Sequence, residues 1–201
     1  MENSDSSQQQ IVPLVIVGDT NVGKSCILQY FIDGYLKDTI YATGGPCFIA
    51  KSINIEGKRV KLEIWDISGK EQYRSLNKIM YNSKEGVIFT YSIDDKDSFR
   101  KLSQFLQDAE DHAREEFCKI LVGNKKDTSE RQVTYDEGKQ FAESQKMEFI
   151  ETSARTGEGI AELFEILTRD ILQKGSRSKR LGGFKLNPET KSENKTASRC
   201  C

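Results

Sequence analysis

The chain has 201 residues, a formal net charge of −1 and 36% hydrophobic residues, enough for one folded domain with polar tails. Near-neutral charge gives no general basic field for nucleic acid, and no apolar run is long enough to span a bilayer or serve as a secretory signal. The five cysteines and single histidine lack metal-ligand spacing, so zinc sites and histidine-based catalysis are not expected. Cys26, Cys47 and Cys118 read as free thiols of a reducing compartment, Cys26 and Cys118 as small core residues, and His112 as a surface residue.

Residues 1–10 are polar and low in complexity and are expected to be a disordered lead. The apolar run Leu14-Val15-Ile16-Val17 then opens directly into Gly18-Asp19-Thr20-Asn21-Val22-Gly23-Lys24-Ser25, the phosphate-loop pattern G-x-x-x-x-G-K-[ST]. Between a strand and a helix, the backbone of Thr20, Asn21, Val22, Gly23, Lys24, Ser25 and Cys26 wraps nucleotide phosphates, helped by the helix dipole. Lys24 reaches the terminal phosphates as a point charge, and the Ser25 hydroxyl holds Mg²⁺. The motif indicates a nucleoside triphosphate without saying which.

Further along, Val60, Leu62 and Ile64 alternate with Lys61, Glu63 and Trp65, as a strand with two distinct faces requires. Residues 86–91 and 117–122 are nearly continuous apolar runs, as central parallel strands are. Phe99, Leu102, Leu106 and Ala109 mark one helix face; Ile160, Leu163, Phe164, Leu167 and Ile171 mark that of the last helix. The alternation predicts an α/β fold: a doubly wound, mostly parallel sheet with helices on both faces and its ligand at the carboxyl ends of the strands.

The base is chosen by Gly123-Asn124-Lys125-Lys126-Asp127. The Asp127 carboxylate accepts two hydrogen bonds from N1–H and the 2-amino group of guanine, a donor pair that adenine lacks. Asn124 holds the loop and approaches the N7 side, while the aliphatic stem of Lys125 lies along the ring. In Glu151-Thr152-Ser153-Ala154-Arg155, after the strand-like residues 147–150, the Ala154 N–H is placed to donate to the guanine oxygen. With their order and spacing behind a phosphate loop, these segments predict a guanine nucleotide site; an ATP-dependent enzyme would leave Asp127 without a use.

Over residues 11–172 the chain resembles a small GTPase of the Ras superfamily, and its Rab branch most. The pointers are Leu62-Glu63-Ile64-Trp65-Asp66, Glu71-Gln72-Tyr73-Arg74-Ser75-Leu76 and the final Cys200-Cys201. The resemblance implies a GTP-binding domain over 11–173 and a monomeric switch that binds GTP or GDP with Mg²⁺ in vesicle and membrane trafficking. Its expected partners are effectors, an exchange factor, a GTPase-activating protein, a prenylation escort and a GDP-dissociation inhibitor. It also implies that Thr43 completes the Mg²⁺ shell and meets the γ-phosphate, that Asp66 holds Mg²⁺ through water, and that the Gly69 N–H meets the γ-phosphate.

Two segments depart from the family. After Thr43 the usual isoleucine-glycine-valine-aspartate-phenylalanine is replaced by Gly44-Gly45-Pro46-Cys47-Phe48. Two glycines raise the entropy lost on ordering and Pro46 removes a donor, so a weakly ordered first switch and an unusual partner set are expected. Either Tyr35 or Leu36 covers the guanine face. In the second segment Lys70 stands where the family has the glutamine that orients the attacking water. An ammonium only donates, so slow intrinsic hydrolysis is expected, with Lys24, Thr43, Gly69 and Lys70 as the groups around the reaction. The alternative is a binding module loaded with GTP almost permanently. Activating proteins of one Rab-specific family supply their own glutamine, so Lys70 leaves assisted turnover open; the role of Ser68 is open too.

From Lys174 apolar periodicity stops, and residues 174–201 are expected to be a flexible basic tail. Cys200 and Cys201 resemble the Rab signal for two geranylgeranyl groups. Two lipid chains and nearby basic residues would hold a cytoplasmic protein on the cytosolic face of an intracellular compartment.

Overall fold

A computed structural model of the chain describes residues 9–37, 45–113 and 116–181. The strands are β1 (Gln10–Gly18), β2 (Cys47–Ile55), β3 (Lys58–Asp66), β4 (Gly86–Ser92), β5 (Cys118–Asn124) and β6 (Glu148–Glu151). They form one sheet in the order β2-β3-β1-β4-β5-β6, parallel throughout except where β2 meets β3. That antiparallel pair closes through Glu56-Gly57, both at positive φ (50° and 78°), the backbone a two-residue hairpin turn demands. The expected mostly parallel sheet is therefore present.

The helices are α1 (Lys24–Asp33), α2 (Arg74–Met80), α3 (Lys96–Arg100), α4 (Leu102–His112), α5 (Tyr135–Ser144) and α6 (Ile160–Leu181). Alternation along β1 explains the two layers. Val12, Leu14 and Ile16 face α1 and α6 in one cluster with Ile27, Leu28, Phe164 and Leu167. Val15 and Val17 face the other side, where Leu102, Leu106 and Ala109 of α4 pack with Ala142 of α5. Phe31 stacks on Phe164 at 3.7 Å between ring centroids, tying α1 to α6. Both faces of β4 are buried along its whole length, as its continuous apolar run requires.

The strand order places β3 on one side of β1 and β4 on the other. The carboxyl ends of β1 and β4 therefore flank the point where the winding reverses, which is where open α/β sheets bind ligands.

Several boundaries differ from expectation. Gln10 already pairs with Val60 in β1, so the strand takes in the last residue of the supposed lead. One helix expected across Phe99 and Ala109 is two, divided at Lys101. Asp95 caps α3 by accepting from the N–H groups of Asp97 and Ser98, which fixes its start independently of α4. α6 continues past Lys174 to Leu181, because lysine, arginine and serine all tolerate helix and no proline intervenes. Cys118 is buried as expected, whereas Cys26 is only half-buried and Cys47 exposed. His112 is half-buried, with Nδ1 2.8 Å from the Asp108 carbonyl. No described helix is long and apolar enough to cross a membrane.

α5 begins with a reciprocal cap: Thr134 Oγ1 accepts the Glu137 N–H (3.2 Å) and Glu137 Oε2 accepts the Thr134 N–H (2.9 Å). Thr134→Ala should cost about 1 kcal/mol of stability with an unchanged denaturant slope, measured by urea unfolding.

Candidate functional site

The loop after β1 turns into α1 at Gly23, whose φ of +92° suits glycine. A side chain there would also collide, since a Cβ would lie 2.3 Å from Asn124 Nδ2. No side chain caps α1, and the N–H groups in the first turn of a helix can receive an anion. Lys24 is buried, and its Nζ donates to the carbonyls of Gly18 (3.0 Å) and Asp19 (2.8 Å). Burial pushes its pKa down to about 8 against the attraction of Asp66 and Asp19. A phosphate beside it would favour the charged form further. Thr20 gives its N–H to Asp19 Oδ1 (2.7 Å), and Asn21 holds φ +62°.

Ser25, in the first turn of α1, donates its hydroxyl to Asp66 Oδ2 (2.5 Å) at the end of β3. Asp66 is 4% exposed. A hydroxyl and a carboxylate held together beside the predicted phosphate loop form an all-oxygen donor pair that suits Mg²⁺. The residues present therefore fit the ion. Thr43, and with it the expected behaviour of the first switch through Gly44, lies outside the described residues, as do Cys200 and Cys201.

Beyond β3 the chain passes back over the loop. A Cβ on Gly69 would lie 2.4 Å from the carbonyl carbon of Asp19 and 2.5 Å from the Thr20 nitrogen. Only glycine lets these two backbones touch. Ser68 beside it is buried, while Lys70 is exposed and gives its N–H to Ser68 Oγ at 3.4 Å. The Lys70 carbonyl accepts from Tyr73 (3.0 Å) as the chain enters a short 3₁₀ turn over Glu71–Tyr73.

The predicted base-binding segments meet through Asn124. Its Nδ2 donates to the Val22 carbonyl (2.8 Å), and its Oδ1 accepts from Thr152 Oγ1 and the Ala154 N–H (both 3.2 Å). The Ala154 donor reserved for guanine thus points at Asn124. Ser153 is fully buried and donates to Asp127 Oδ1 (2.6 Å) while accepting from the N–H groups of Arg155 (3.2 Å) and Thr156 (3.1 Å). Arg155 is mostly exposed and reaches Asp127 Oδ2 at 4.0 Å. Lys125 adopts φ +67° and sets Nζ 3.2 and 3.3 Å from the two carboxylate oxygens of Asp94, which aligns its stem. Tyr35 is 57% exposed and Leu36 half-buried, so burial alone does not choose between them.

Three supports escape motif reading. Asp94 accepts from Ser92 as well as Lys125. Desolvation alone would raise its carboxyl, but these bonds overcome it and hold the group below the ordinary range. Tyr30 donates to the Thr156 carbonyl (3.2 Å) and lies against Gly157. Arg131 clamps the buried Glu151 through both nitrogens (2.7 and 2.9 Å), anchoring the strand that leads into Thr152. Residues 20 apart with ordinary surface composition give no sequence signal of that pairing. Arg131→Ala strands a buried carboxylate whose partner was partly solvated, so a loss of about 2 kcal/mol is expected by urea unfolding, with weaker GDP binding by calorimetry.

The Ras family model matches residues 13–173. The chain is 38% identical over 191 residues to Ras-related protein Rab-1D of Dictyostelium discoideum, covering 92% of this chain and 91% of that protein. It is 34% identical over 199 residues to Ras-related protein RAB1BV of Beta vulgaris, with 95% and 93% covered. It is 33% identical over 199 residues to GTP-binding protein ypt2 of Schizosaccharomyces pombe, with 98% and 100% covered.

Proposed function

We propose, because the chain belongs to the Ras family of small GTPases and to its Rab branch, that it is a GTP/GDP switch recruiting effectors in vesicle and membrane trafficking, with slow hydrolysis of its own. The observation that carries the guanine-nucleotide part is the Asn124 side chain, which ties Val22 of the phosphate loop to Ala154 of the base segment. Base and phosphate determinants then act on one ligand. Asp127 selects guanine and the stem of Lys125 lies along the ring, while the loop N–H groups and Lys24 hold the phosphates.

Ser25 and Asp66, with Thr43, would hold Mg²⁺, which supplies positive charge against the phosphate oxygens. The Gly69 N–H, carried on the Asp19–Thr20 peptide, would meet the γ-phosphate. Lys70 follows directly and brings a donor where the family has a group that both accepts and donates. Calorimetry with GDP, GTP, ADP and ATP in Mg²⁺ tests the reading. Uptake of guanine nucleotides with exclusion of adenine nucleotides is expected, and no preference between the bases would overturn it.

The exposed Lys70 also favours a second reading, a module that stays GTP-loaded and signals by abundance. The nucleotide carried by protein purified from its own cells separates the two: GDP points to a cycling switch, GTP alone to a standing one. Regulators of the Rab type, and prenylation of Cys200 and Cys201 at the end of a tethering tail, belong to the same proposal. An unmodified C-terminus in the mass of native protein would remove the lipid anchor.

A further inference from the structure

We infer that Lys101 is the counter-ion of the phosphate loop, neutralising Asp19 so that the loop accepts the third phosphate of GTP. Lys101 Nζ donates to Asp19 Oδ2 at 2.6 Å, across 82 positions of sequence. The Asp19 side chain is only 17% exposed, against 51% for Lys101. The carboxylate is therefore largely withdrawn from water, with a lysine as its charged partner. Its other oxygen accepts the Thr20 N–H (2.7 Å), and the Asp19 carbonyl accepts Lys24 Nζ (2.8 Å). Asp19 thus touches the loop's own lysine, the next loop peptide and the α3–α4 junction at once.

The location gives the pair its consequence. Gly69 rests on the Asp19–Thr20 peptide, and on the guanine-nucleotide reading, on which this inference rests, the Gly69 N–H meets the γ-phosphate. The added charge of GTP over GDP then sits beside Asp19. A carboxylate stripped of its cation repels both nucleotides, and the nearer, more highly charged one more strongly. The backbone of Lys101 is held in place. It closes α3, where its N–H bonds to the Asp97 carbonyl (3.1 Å), and Asp95 caps the start of the same helix. The division between α3 and α4 falls at this residue.

The test measures dissociation constants of GTP and GDP, each with Mg²⁺, on the full chain and on four variants. Lys101→Ala should weaken GTP by about ten-fold and GDP by about two-fold, between the values for exposed and buried pairs. Asp19→Asn removes the charge yet keeps an oxygen for the Thr20 N–H. The double variant should therefore return the GTP-to-GDP ratio to within about two-fold of the unchanged chain. Lys101→Arg should keep that ratio. Equal weakening of both nucleotides by Lys101→Ala means a merely structural role and overturns the inference, as does a ratio that Asp19→Asn fails to restore. Failure of the unchanged chain to hold either nucleotide would overturn the guanine-nucleotide reading itself, and this inference with it.

Discussion

Asp127→Ala should lower GDP affinity by about 10³-fold, because two donors of the base lose a charged acceptor at about 2 kcal/mol each. The side chain is already held by its neighbours. Its Oδ1 accepts from the buried Ser153 hydroxyl (2.6 Å), and only 24% of the side chain is exposed. Ser153 is in turn held by the N–H groups of Arg155 and Thr156, so the carboxylate needs little reorganisation to meet the base. The loss should fall on guanine alone. ATP, bound weakly through its phosphates, should change by less than about three-fold, and the preference for GTP should collapse. Stability should fall by only about 1 kcal/mol, since the Ser153 hydroxyl loses an acceptor but keeps its backbone donors. Calorimetric displacement with both bases reads the ratio. Retention of the preference would remove Asp127 from base selection.

What was legible in the sequence follows from how far each signal reaches. Val60, Leu62 and Ile64 alternate and are buried in β3 with more open neighbours, because a half-exposed strand writes its period in adjacent residues. The turn from β1 into α1 was legible because a tight turn leaves few residue choices: Gly23 at φ +92° is one of them. The break at Lys101 was not, because Phe99 and Leu102 continue a helical spacing across it. The extra length of α6 was hidden for a related reason. Gly175 lies inside the helix without ending it, and polar residues that suit a linker suit a solvated helix as well. Contacts made by single charges over long separations were invisible altogether. Lys101 with Asp19, and Arg131 with Glu151, are pairs that only the closing of the sheet brings together.

Lys70→Gln should raise single-turnover GTP hydrolysis about ten-fold or more, toward the order of 10⁻⁴ per second of unassisted GTPases in this class. Lys70 lies one residue beyond Gly69, whose backbone is pressed against the Asp19–Thr20 peptide, so its backbone is fixed beside that loop even though its side chain is exposed. A glutamine there accepts a hydrogen bond from water and donates another; an ammonium does only the second. Lys70→Ala tells two origins of slowness apart. If the alanine variant stays slow, the missing water-positioning group is the cause. If it speeds up as much as the glutamine variant, the ammonium itself holds bound GTP against reaction, and removing the charge is what matters. Equal rates in all three chains would discard any role for this position in the unassisted reaction. An activating protein that brings its own glutamine should shrink the difference between the unchanged chain and the Lys70→Gln variant, since the positioning group then comes from outside.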